Sequence, residues 1–375
     1  MLFNKIYSAA NLISTFMHER SAGSSGPAPE HVPSPPYNPQ ALGRWKVAAP
    51  LACARVFHTA TLLNDGSVLV VGGVGASGHL SSAERFHPET HRWESARAMP
   101  LPRYHHSATL LANGCVLVTG GFNGHCIREA FLYDTDADTW RDANTMVTTH
   151  GLHTATMLLN DHVLVIGAHE HTALGASVEQ YDPFADTWTR MSAPMMPREQ
   201  HTTTLLNNGE LLMVGGRDDA GAIRLVERYN CRTEAWQPAD SLPTARLCHT
   251  TTCLPDGRVL VAAGDDGTSN FLSSAELYDP ATNLWHLAGW LNHRREYCTA
   301  SAMGDGTLLL VGGDGPDGAL ACAETFDLSL LRCTVADAAI TPRYLHTATR
   351  LANGAVLVVG GNDRKGPLAS VEMFC

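Results

Sequence analysis

The sequence HTATLLNDGSVLVVGG (residues 58–73) decides the fold, because its pattern returns six more times along the chain. The later copies begin at His106, His153, His201, His249, Cys298 and His346, so the spacings are 48, 47, 48, 48, 49 and 48 residues. Repetition with a period of roughly 20 to 50 residues is typical of an architecture built from one repeated structural unit. Seven such units account for residues 41–375.

Each copy contains the pattern of four short strands. The runs HTATLL and SVLVVGG are rich in Val, Leu and Thr and flank an Asp-Gly or Asn-Gly turn in most copies, which predicts a β-hairpin. A third run such as SAERF (82–86) follows the double glycine, and a tryptophan such as Trp93 marks a fourth run. Four antiparallel strands per repeat make one propeller blade. The chain is therefore predicted to be all-β, a seven-bladed β-propeller.

Three recurring features resemble the kelch repeat family. They are the double glycine, an aromatic residue in the third run (Phe86 in the first copy) and the tryptophan at a fixed distance after it. The resemblance covers about nine-tenths of the chain. It implies four-stranded kelch blades arranged around a central channel.

The two ends of the repeat region predict how the ring closes. Trp45 lies 13 residues before His58, which is the distance from Trp93 to His106, and the chain stops after the third run of copy seven. We therefore predict that an N-terminal strand around Trp45 completes blade seven, which leaves no open sheet edge. Residues 1–40 are predicted to be an N-terminal extension and flexible linker, and residues 41–375 the propeller.

A recurring cation and a recurring acid are predicted to join the blades. An arginine stands three residues before each anchor position, with His150 as the exception, and the third run carries a glutamate, with Phe131 as the exception. Both exceptions fall at one blade junction, which favours pairing of each glutamate with the arginine that opens the next blade. The predicted inter-blade pairs are Glu84 with Arg103, Glu179 with Arg198, and Glu372 with Arg55.

Candidate binding residues gather on one face of the predicted propeller. Strand direction alternates within a blade, so the start of strand one and the loop after strand two share a face, and that face holds the residues that vary between copies. Acidic residues across blades four to seven favour a basic or hydroxyl-rich ligand on this variable face. The candidates are His105, Phe122, His169, Glu170, His171, Arg217, Asp218, Asp265, Asp314 and Asn362.

Clustered histidines in blades two and three raise the alternative of a metal site. In blade three, His150, His153, His169 and His171 are imidazoles on one face that would suit Zn or Cu. In blade two, Arg103-Tyr104-His105 resembles part of the copper site of galactose oxidase, a kelch-type propeller. The tyrosine and histidine are shifted by one place from the repeat anchor, and Cys298 replaces the anchor histidine of blade six.

Composition excludes several partners. The net charge is −11 and the basic residues are scattered, so nucleic acid is not expected as a partner. No apolar run of about 18 residues is present, so no membrane span is predicted. The ten cysteines form no CxxC pair and are interpreted as mostly small buried residues, which favours a reducing, cytoplasmic compartment. The protein is expected to be a monomer. A secreted location, through a signal within residues 1–20, is the alternative.

These observations predict a non-enzymatic binding scaffold that presents a polar loop face to a protein segment or polar ligand, without a cofactor. No nucleophile elbow, phosphate-binding glycine loop or His-Glu-x-x-His motif occurs, so no catalytic residue is assigned. Two alternatives remain open. One is a metal-dependent enzyme such as a copper oxidase, and the other is a metal-free propeller that binds or processes sugars.

Overall fold

A computed structural model describes residues 44–167, 177–339 and 341–375. The regular structure of these residues consists of β-strands, which form seven four-stranded antiparallel sheets. No helix among the described residues has the length and hydropathy needed to cross a membrane. The prediction of an all-β, seven-bladed β-propeller is confirmed.

The first strand of each blade lies nearest the centre, and the second strand packs beside it. The first strands are β2 (Thr59–Leu62), β8 (Ser107–Leu110), β12 (Thr154–Met157), β16 (Thr202–Leu205), β22 (Thr250–Cys253), β26 (Thr299–Ala302) and β32 (Thr347–Arg350). The second strands are β3 (Val68–Val71), β9 (Val116–Thr119), β13 (Val163–Ile166), β17 (Leu211–Val214), β23 (Val259–Ala262), β27 (Thr307–Val311) and β33 (Val356–Val359).

The third and fourth strands form the outer half of each blade. The third strands are β6 (Ala83–His87), β10 (Ala130–Asp134), β14 (Val178–Asp182), β20 (Val226–Asn230), β24 (Ser274–Asp279), β30 (Ala323–Asp327) and β36 (Val371–Phe374). The fourth strands are β7 (Arg92–Ala96), β11 (Thr139–Asp142), β15 (Thr187–Arg190), β21 (Ala235–Pro238), β25 (Leu284–Trp290), β31 (Arg332–Val335) and, in blade seven, β1 (Trp45–Ala48).

Within the described ranges, four small hairpins extend from the ends of the second strands. They pair β4 (Val74–Gly75) with β5 (Gly78–His79), β18 (Arg217–Asp218) with β19 (Gly221–Ala222), β28 (Asp314–Gly315) with β29 (Gly318–Ala319), and β34 (Asn362–Asp363) with β35 (Gly366–Pro367). Each hairpin follows a double glycine and therefore lies on the variable face.

The first strands of neighbouring blades contact one another around a complete ring, from β2 through β32 and back to β2. They therefore enclose the central channel. Second strands such as β3, β9 and β13 are buried along their whole length because neighbouring blades cover both of their faces. Such burial explains why these strands are continuous runs of Val, Leu and Ile rather than alternating sequences.

The ring closes as the position of Trp45 predicts. Strand β1 pairs antiparallel with β36, and Trp45 stands opposite Phe374 with the ring centroids 5.3 Å apart. The indole Nε1 of Trp45 donates a hydrogen bond to the carbonyl oxygen of Asp337 in blade six, at 2.7 Å. The N-terminal strand thus completes blade seven and also bonds it to the preceding blade, so this prediction is confirmed.

The double glycine is required by two close approaches, one within the blade and one to the next blade. Gly72 and Gly73 have φ values of +64° and +97°. A Cβ on Gly73 would lie 2.6 Å from the carbonyl oxygen of Val56, and a Cβ on Gly72 would lie 2.7 Å from Cε1 of His106 in the next blade. The first glycine of one blade therefore provides the surface on which the next anchor histidine rests.

The anchor histidines bond neighbouring blades. The Nε2 atom of His106 lies 3.0 Å from the hydroxyl of Thr59 in blade one, and His58 makes the same contact with Thr347 across the ring closure. Burial lowers the pKa of His58 and His201 to about 3 and holds the pKa of the other four anchor histidines well below the usual value. These six imidazoles are therefore neutral parts of the frame.

The buried arginines pair within their own blades, so the predicted inter-blade pairs are wrong. Arg55 bonds Glu84 at 2.6 Å rather than Glu372. Glu372 is paired with Arg343 instead, whose Nη2 lies 2.6 Å from Oε1 of Glu372. The other buried pairs are Arg198 with Glu227 rather than Glu179, Arg246 with Glu276, and Arg295 with Glu324.

The backbone hydrogen bonds of the arginine explain why its side chain points into its own blade. The amide of Arg55 donates to the carbonyl of Leu368 in blade seven, and its carbonyl accepts from the amide of Gly361. With its backbone held by the preceding blade, the side chain extends into its own blade, where Nη1 donates to the carbonyl of Gly72 at 2.9 Å. The backbone, rather than the ion pair, therefore joins the two blades.

The two exceptions in the pattern have separate compensations. Arg103 does not reach Glu84, and its guanidinium carbon lies 4.8 Å from the ring centroid of Phe131 in its own blade. His150 replaces the arginine of blade three, and its Nε2 lies 3.1 Å from Glu179. Their occurrence at one blade junction is therefore a coincidence.

The cysteines are less buried than predicted. Cys126 and Cys298 are buried, Cys375 is exposed, and the other seven of the ten free cysteines are half-buried. The interpretation of most cysteines as buried apolar residues is therefore wrong.

Candidate functional site

A cavity of about 320 Å³ opens at the centre of the variable face. Its wall is formed by the residue that immediately precedes each anchor position, with the anchor side chains behind it. These seven residues, which we call the mouth ring, are Phe57, His105, Leu152, Gln200, Cys248, Tyr297 and Leu345. The anchors are alike in six blades, whereas the mouth ring carries six different residue types.

Every residue of the mouth ring has left-handed backbone geometry, although none is glycine. The φ values lie between +49° for Tyr297 and +57° for Phe57. Non-glycine residues rarely adopt this conformation unless surrounding structure imposes it. Here the conformation directs the amide of His105 to the carbonyl of Phe57 at 3.2 Å, and the amide of Tyr297 to that of Cys248 at 3.1 Å.

Aromatic side chains dominate the blade one and blade two side of the mouth. The rings of Phe57 and His105 have centroids 4.0 Å apart, and Tyr104 stacks on Phe122 at 5.6 Å. His79 adds a contact with Tyr104 at 4.8 Å. Burial raises the pKa of Tyr104 to about 12, so its phenol is neutral at pH 7. This side of the mouth offers flat apolar surfaces to a ligand.

Carboxylates lie behind the opposite side of the mouth, one layer outside the residues that line the cavity. The residue after each double glycine forms a backbone bridge with the residue two places before the anchor, and in blade six this brings the fully buried Glu296 opposite the half-buried Asp314. In blade five the same bridge joins Leu247 to Asp265. In blade four Glu199 lies 3.8 Å from the half-exposed Arg217. The blade four to six side is thus the polar and predominantly acidic side.

The predicted ligand-binding residues divide into two shells around this cavity. His105 lines the cavity itself. The predicted residues after the double glycine stand one step further out, each opposite the residue two places before an anchor. They are Phe122, Arg217, Asp265, Asp314 and Asn362.

Two of these outer residues are buried rather than part of a solvated rim. Asp265 is 4% exposed and Asn362 is 1% exposed. The side-chain amide of Asn362 donates to the hydroxyl of Tyr344 at 2.6 Å. The Asp265 carboxylate accepts from the backbone amide of Gly267 at 2.7 Å. The Asp218 carboxylate accepts from the amides of Ala220 and Gly221 and so shapes its own hairpin. These three side chains help to fix the loops.

The predicted residues His169, Glu170 and His171 lie outside the described residues. His150 and His153 are described, and both have roles in the frame. The Nδ1 of His150 contacts the carbonyl of Gly167, and the Nε2 of His153 lies 2.9 Å from the hydroxyl of Ser107. The four-histidine metal site therefore remains a prediction. His150 and His153 alone do not form it.

Sequence reasoning missed six of the seven mouth-ring residues. They are Phe57, Leu152, Gln200, Cys248, Tyr297 and Leu345. A signal was present, because this position varies among the copies while the arginine two places before it and the anchor directly after it recur.

A cluster of three potential metal ligands, which the sequence did not predict, lies in blade six. Potential ligand atoms of His293, Cys322 and Glu324 lie within 4.8 Å of one another. The Nη2 of Arg295 lies 3.1 Å from the sulfur of Cys322 and also bonds Glu324. A guanidinium in this place opposes a divalent cation, because it brings a positive charge to two of the three candidate ligands.

Comparison with known proteins supports the architecture. The family model described as the Kelch motif matches residues 55–100, 102–147 and 246–289. The structure described as a novel fungal alcohol oxidase with catalytic diversity among the AA5 family, in complex with copper, is similar with a TM-score of 0.73. That match is 19% identical and covers 89% of this chain and 76% of the oxidase, so it shows a shared fold. No curated protein matches this sequence.

Proposed function

We propose that this β-propeller, which carries Kelch motifs in three of its blades, is a non-enzymatic binding scaffold whose partner inserts side chains into the central cavity. The observation that carries this proposal is the mouth ring. Seven residues are held in a strained conformation by a repeated frame, and their side chains differ from blade to blade. Strain of this kind concentrates at binding and active sites.

The chemistry of the mouth favours a protein segment with a basic side chain beside an apolar one. Aromatic faces line the blade one and two side, and carboxylates lie one layer behind the blade four to six side. A volume of about 320 Å³ lies at the small end of ligand pockets and is suited to one or two side chains. Charge complementarity across such a surface sets orientation and specificity.

A displayed library of random peptides, selected on the purified protein, tests this function. We expect enriched peptides to pair a Lys or Arg with an aromatic or aliphatic residue, and we expect their affinity to fall as salt increases. Leu152→Trp, which fills the cavity, should weaken binding at least about tenfold. Leu159→Trp is the matched control, because Leu159 is 75% exposed on the turn at the other end of the same blade.

Two outcomes would reject the proposal. One is a selection that yields no peptide above background. The other is a set of peptides that bind Leu152→Trp as well as the unaltered protein, which would place their site away from the cavity.

The second candidate is a metal-dependent enzyme. The observation that favours it is the fold shared with the copper-bound fungal alcohol oxidase. Elemental analysis of untagged protein, beside a His169→Ala/His171→Ala variant, separates the candidates. About one equivalent of Zn or Cu, lost in this variant, would favour the enzyme over the scaffold.

A further inference from the structure

We propose that Cys322 is a reactive thiolate and a site of oxidation by hydroperoxides. Cys322 lies just before strand β30 in blade six. The same position is serine in blades one, three, five and seven, and Ser82, Ser274 and Ser370 accept a hydrogen bond from the buried arginine of the blade at 2.9 to 3.1 Å. Cys322 places its sulfur in this acceptor position, 3.1 Å from Nη2 of Arg295.

A basic side chain stands beside this position only in blade six. His293 stands two residues before Arg295, where the other blades carry Cys53, Leu101, Thr148, Met196, Thr244 and Thr341. Its imidazole lies within 4.8 Å of the Cys322 sulfur, with Nδ1 3.0 Å from the Glu324 carboxylate. Hydrogen bonds to Cys322 and to Glu324 raise the pKa of His293 to about 10, so the ring is an imidazolium at pH 7.

The charges of the surrounding cluster favour the thiolate form of Cys322. Arg295 and His293 are cations. Burial opposes ionisation of Glu324, but His293 and Arg295 together hold its pKa at about 2. With a neutral thiol the cluster would carry one net positive charge, and a thiolate brings that charge to zero. Burial would raise the pKa of Cys322, yet the bond from His293 and the charge of Arg295 outweigh it and lower the pKa.

The site is accessible, and the neighbouring thiol does not compete with it. Cys322 is half-buried and the His293 side chain is 45% exposed, so a small oxidant can approach the sulfur. Cys333 donates to Glu324 at 3.0 Å, and burial raises its pKa, which keeps it protonated. Burial also raises the pKa of Cys115, Cys231 and Cys253, which are half-buried like Cys322.

The reaction requires a hydroperoxide and a proton. The thiolate sulfur attacks one peroxide oxygen, an S–O bond forms and the O–O bond breaks. Cysteine is oxidised to sulfenic acid, and the peroxide is reduced to water or an alcohol. The imidazolium of His293 lies beside the sulfur and supplies the proton that the departing oxygen takes up.

The test measures site-resolved labelling of the full chain. The protein is treated with hydrogen peroxide, sulfenic acid is trapped with dimedone, and each cysteine is quantified by mass spectrometry over time. We expect Cys322 to react at least about tenfold faster than Cys115, Cys231 and Cys253, which serve as internal controls. His293→Gln should slow the labelling of Cys322 about tenfold without changing the labelling of the three control cysteines. His293→Lys should restore part of the labelling rate of Cys322.

Cys322→Ser introduces the serine that four other blades carry at this position. This variant should melt at the temperature of the unaltered protein while losing the fast label. Labelling of Cys322 at the rate of the control thiols would overturn the proposal. An unchanged rate in a folded His293→Gln variant would also overturn it. So would a stoichiometric bound metal that must be removed before Cys322 reacts.

Discussion

Ala263 and Cys298 replace two complementary residues at the junction of blades five and six, where they pack in one buried cluster. At other junctions the first glycine of one blade lies against the next anchor histidine. A Cβ on Gly72 or Gly120 would stand 2.7 or 2.8 Å from Cε1 of His106 or His153. Ala263 keeps the left-handed conformation, with φ +62°, but carries a methyl group, and the anchor that follows is the smaller Cys298.

This relationship predicts a double-mutant effect. Cys298→His alone should lower the free energy of unfolding by about 1 to 3 kcal/mol, because the imidazole would overlap the Ala263 methyl. Adding Ala263→Gly should recover that loss and give Thr250 the histidine partner that the first-strand residue has at other junctions. Urea unfolding of the two single variants and the double variant measures the coupling. Simple additivity of the single effects would contradict the steric explanation.

The buried arginines predict a second coupling. Glu84→Gln and Arg55→Met should each destabilise the protein by about 3 to 5 kcal/mol, because each leaves a buried partner unpaired. The coupling energy of Glu84 with Arg55 should be at least about 1 kcal/mol, whereas that of Glu84 with Arg103 should stay below about 0.5 kcal/mol. Denaturant unfolding of the two double-mutant cycles provides both values. A larger coupling energy of Glu84 with Arg103 than with Arg55 would instead support pairing between blades.

Ring closure predicts the effect of removing strand β1. Deleting residues 1–48 removes the fourth strand of blade seven and leaves the edge of β36 unpaired. The shortened protein should unfold cooperatively and melt at least about 10 °C below the full chain. Deleting residues 1–40, which keeps β1, is the control and should leave the melting temperature unchanged. A protein lacking residues 1–48 that melts within about 2 °C of the full chain would refute the closing role of this strand.

The six anchor histidines predict a loss of stability in mild acid. The folded pKa of His58 and His201 is lowered from 6.5 to about 3, so below pH 6.5 the unfolded chain binds protons that the folded chain does not. Stability should therefore be complete above pH 6.5 and fall as the pH decreases toward 3, by about 1.4 kcal/mol per pH unit for each such histidine. The melting temperature between pH 7 and pH 5 measures the slope.

His201→Asn removes one of these groups and should give a shallower slope. His125→Gln, which replaces an exposed histidine, is its control. Equal slopes in His201→Asn and the unaltered protein would show that the anchor histidine does not contribute to the acid sensitivity.

The repeat was sufficient to predict the propeller, because strand pairing within each blade is local in sequence. Even the closure between Trp45 and Phe374 followed from a spacing. The direction of the arginine side chains did not follow, because a spacing shows which residues recur but not whether Arg55 turns toward Glu84 or Glu372. That choice depends on the backbone bonds from Arg55 to the preceding blade.

The candidate sites were harder to predict than the fold. The mouth ring depends on a left-handed conformation at residues such as Leu152 and Gln200, which ordinarily favours glycine and so leaves no mark in their identity. The blade six cluster joins His293 to Cys322 and Glu324, residues about 30 positions apart. Only the position of Arg295 between the sulfur and the carboxylate shows why these groups meet.

The mouth ring also has a consequence for engineering. The backbone at each of its positions is set by the neighbouring bridge and anchor, so the side chain there contributes little to specifying the fold. A library randomised at these seven positions would vary the shape and charge of the cavity wall while leaving the interlocked frame intact. Such a propeller would offer protein designers a receptor with seven separately adjustable contacts around one axis.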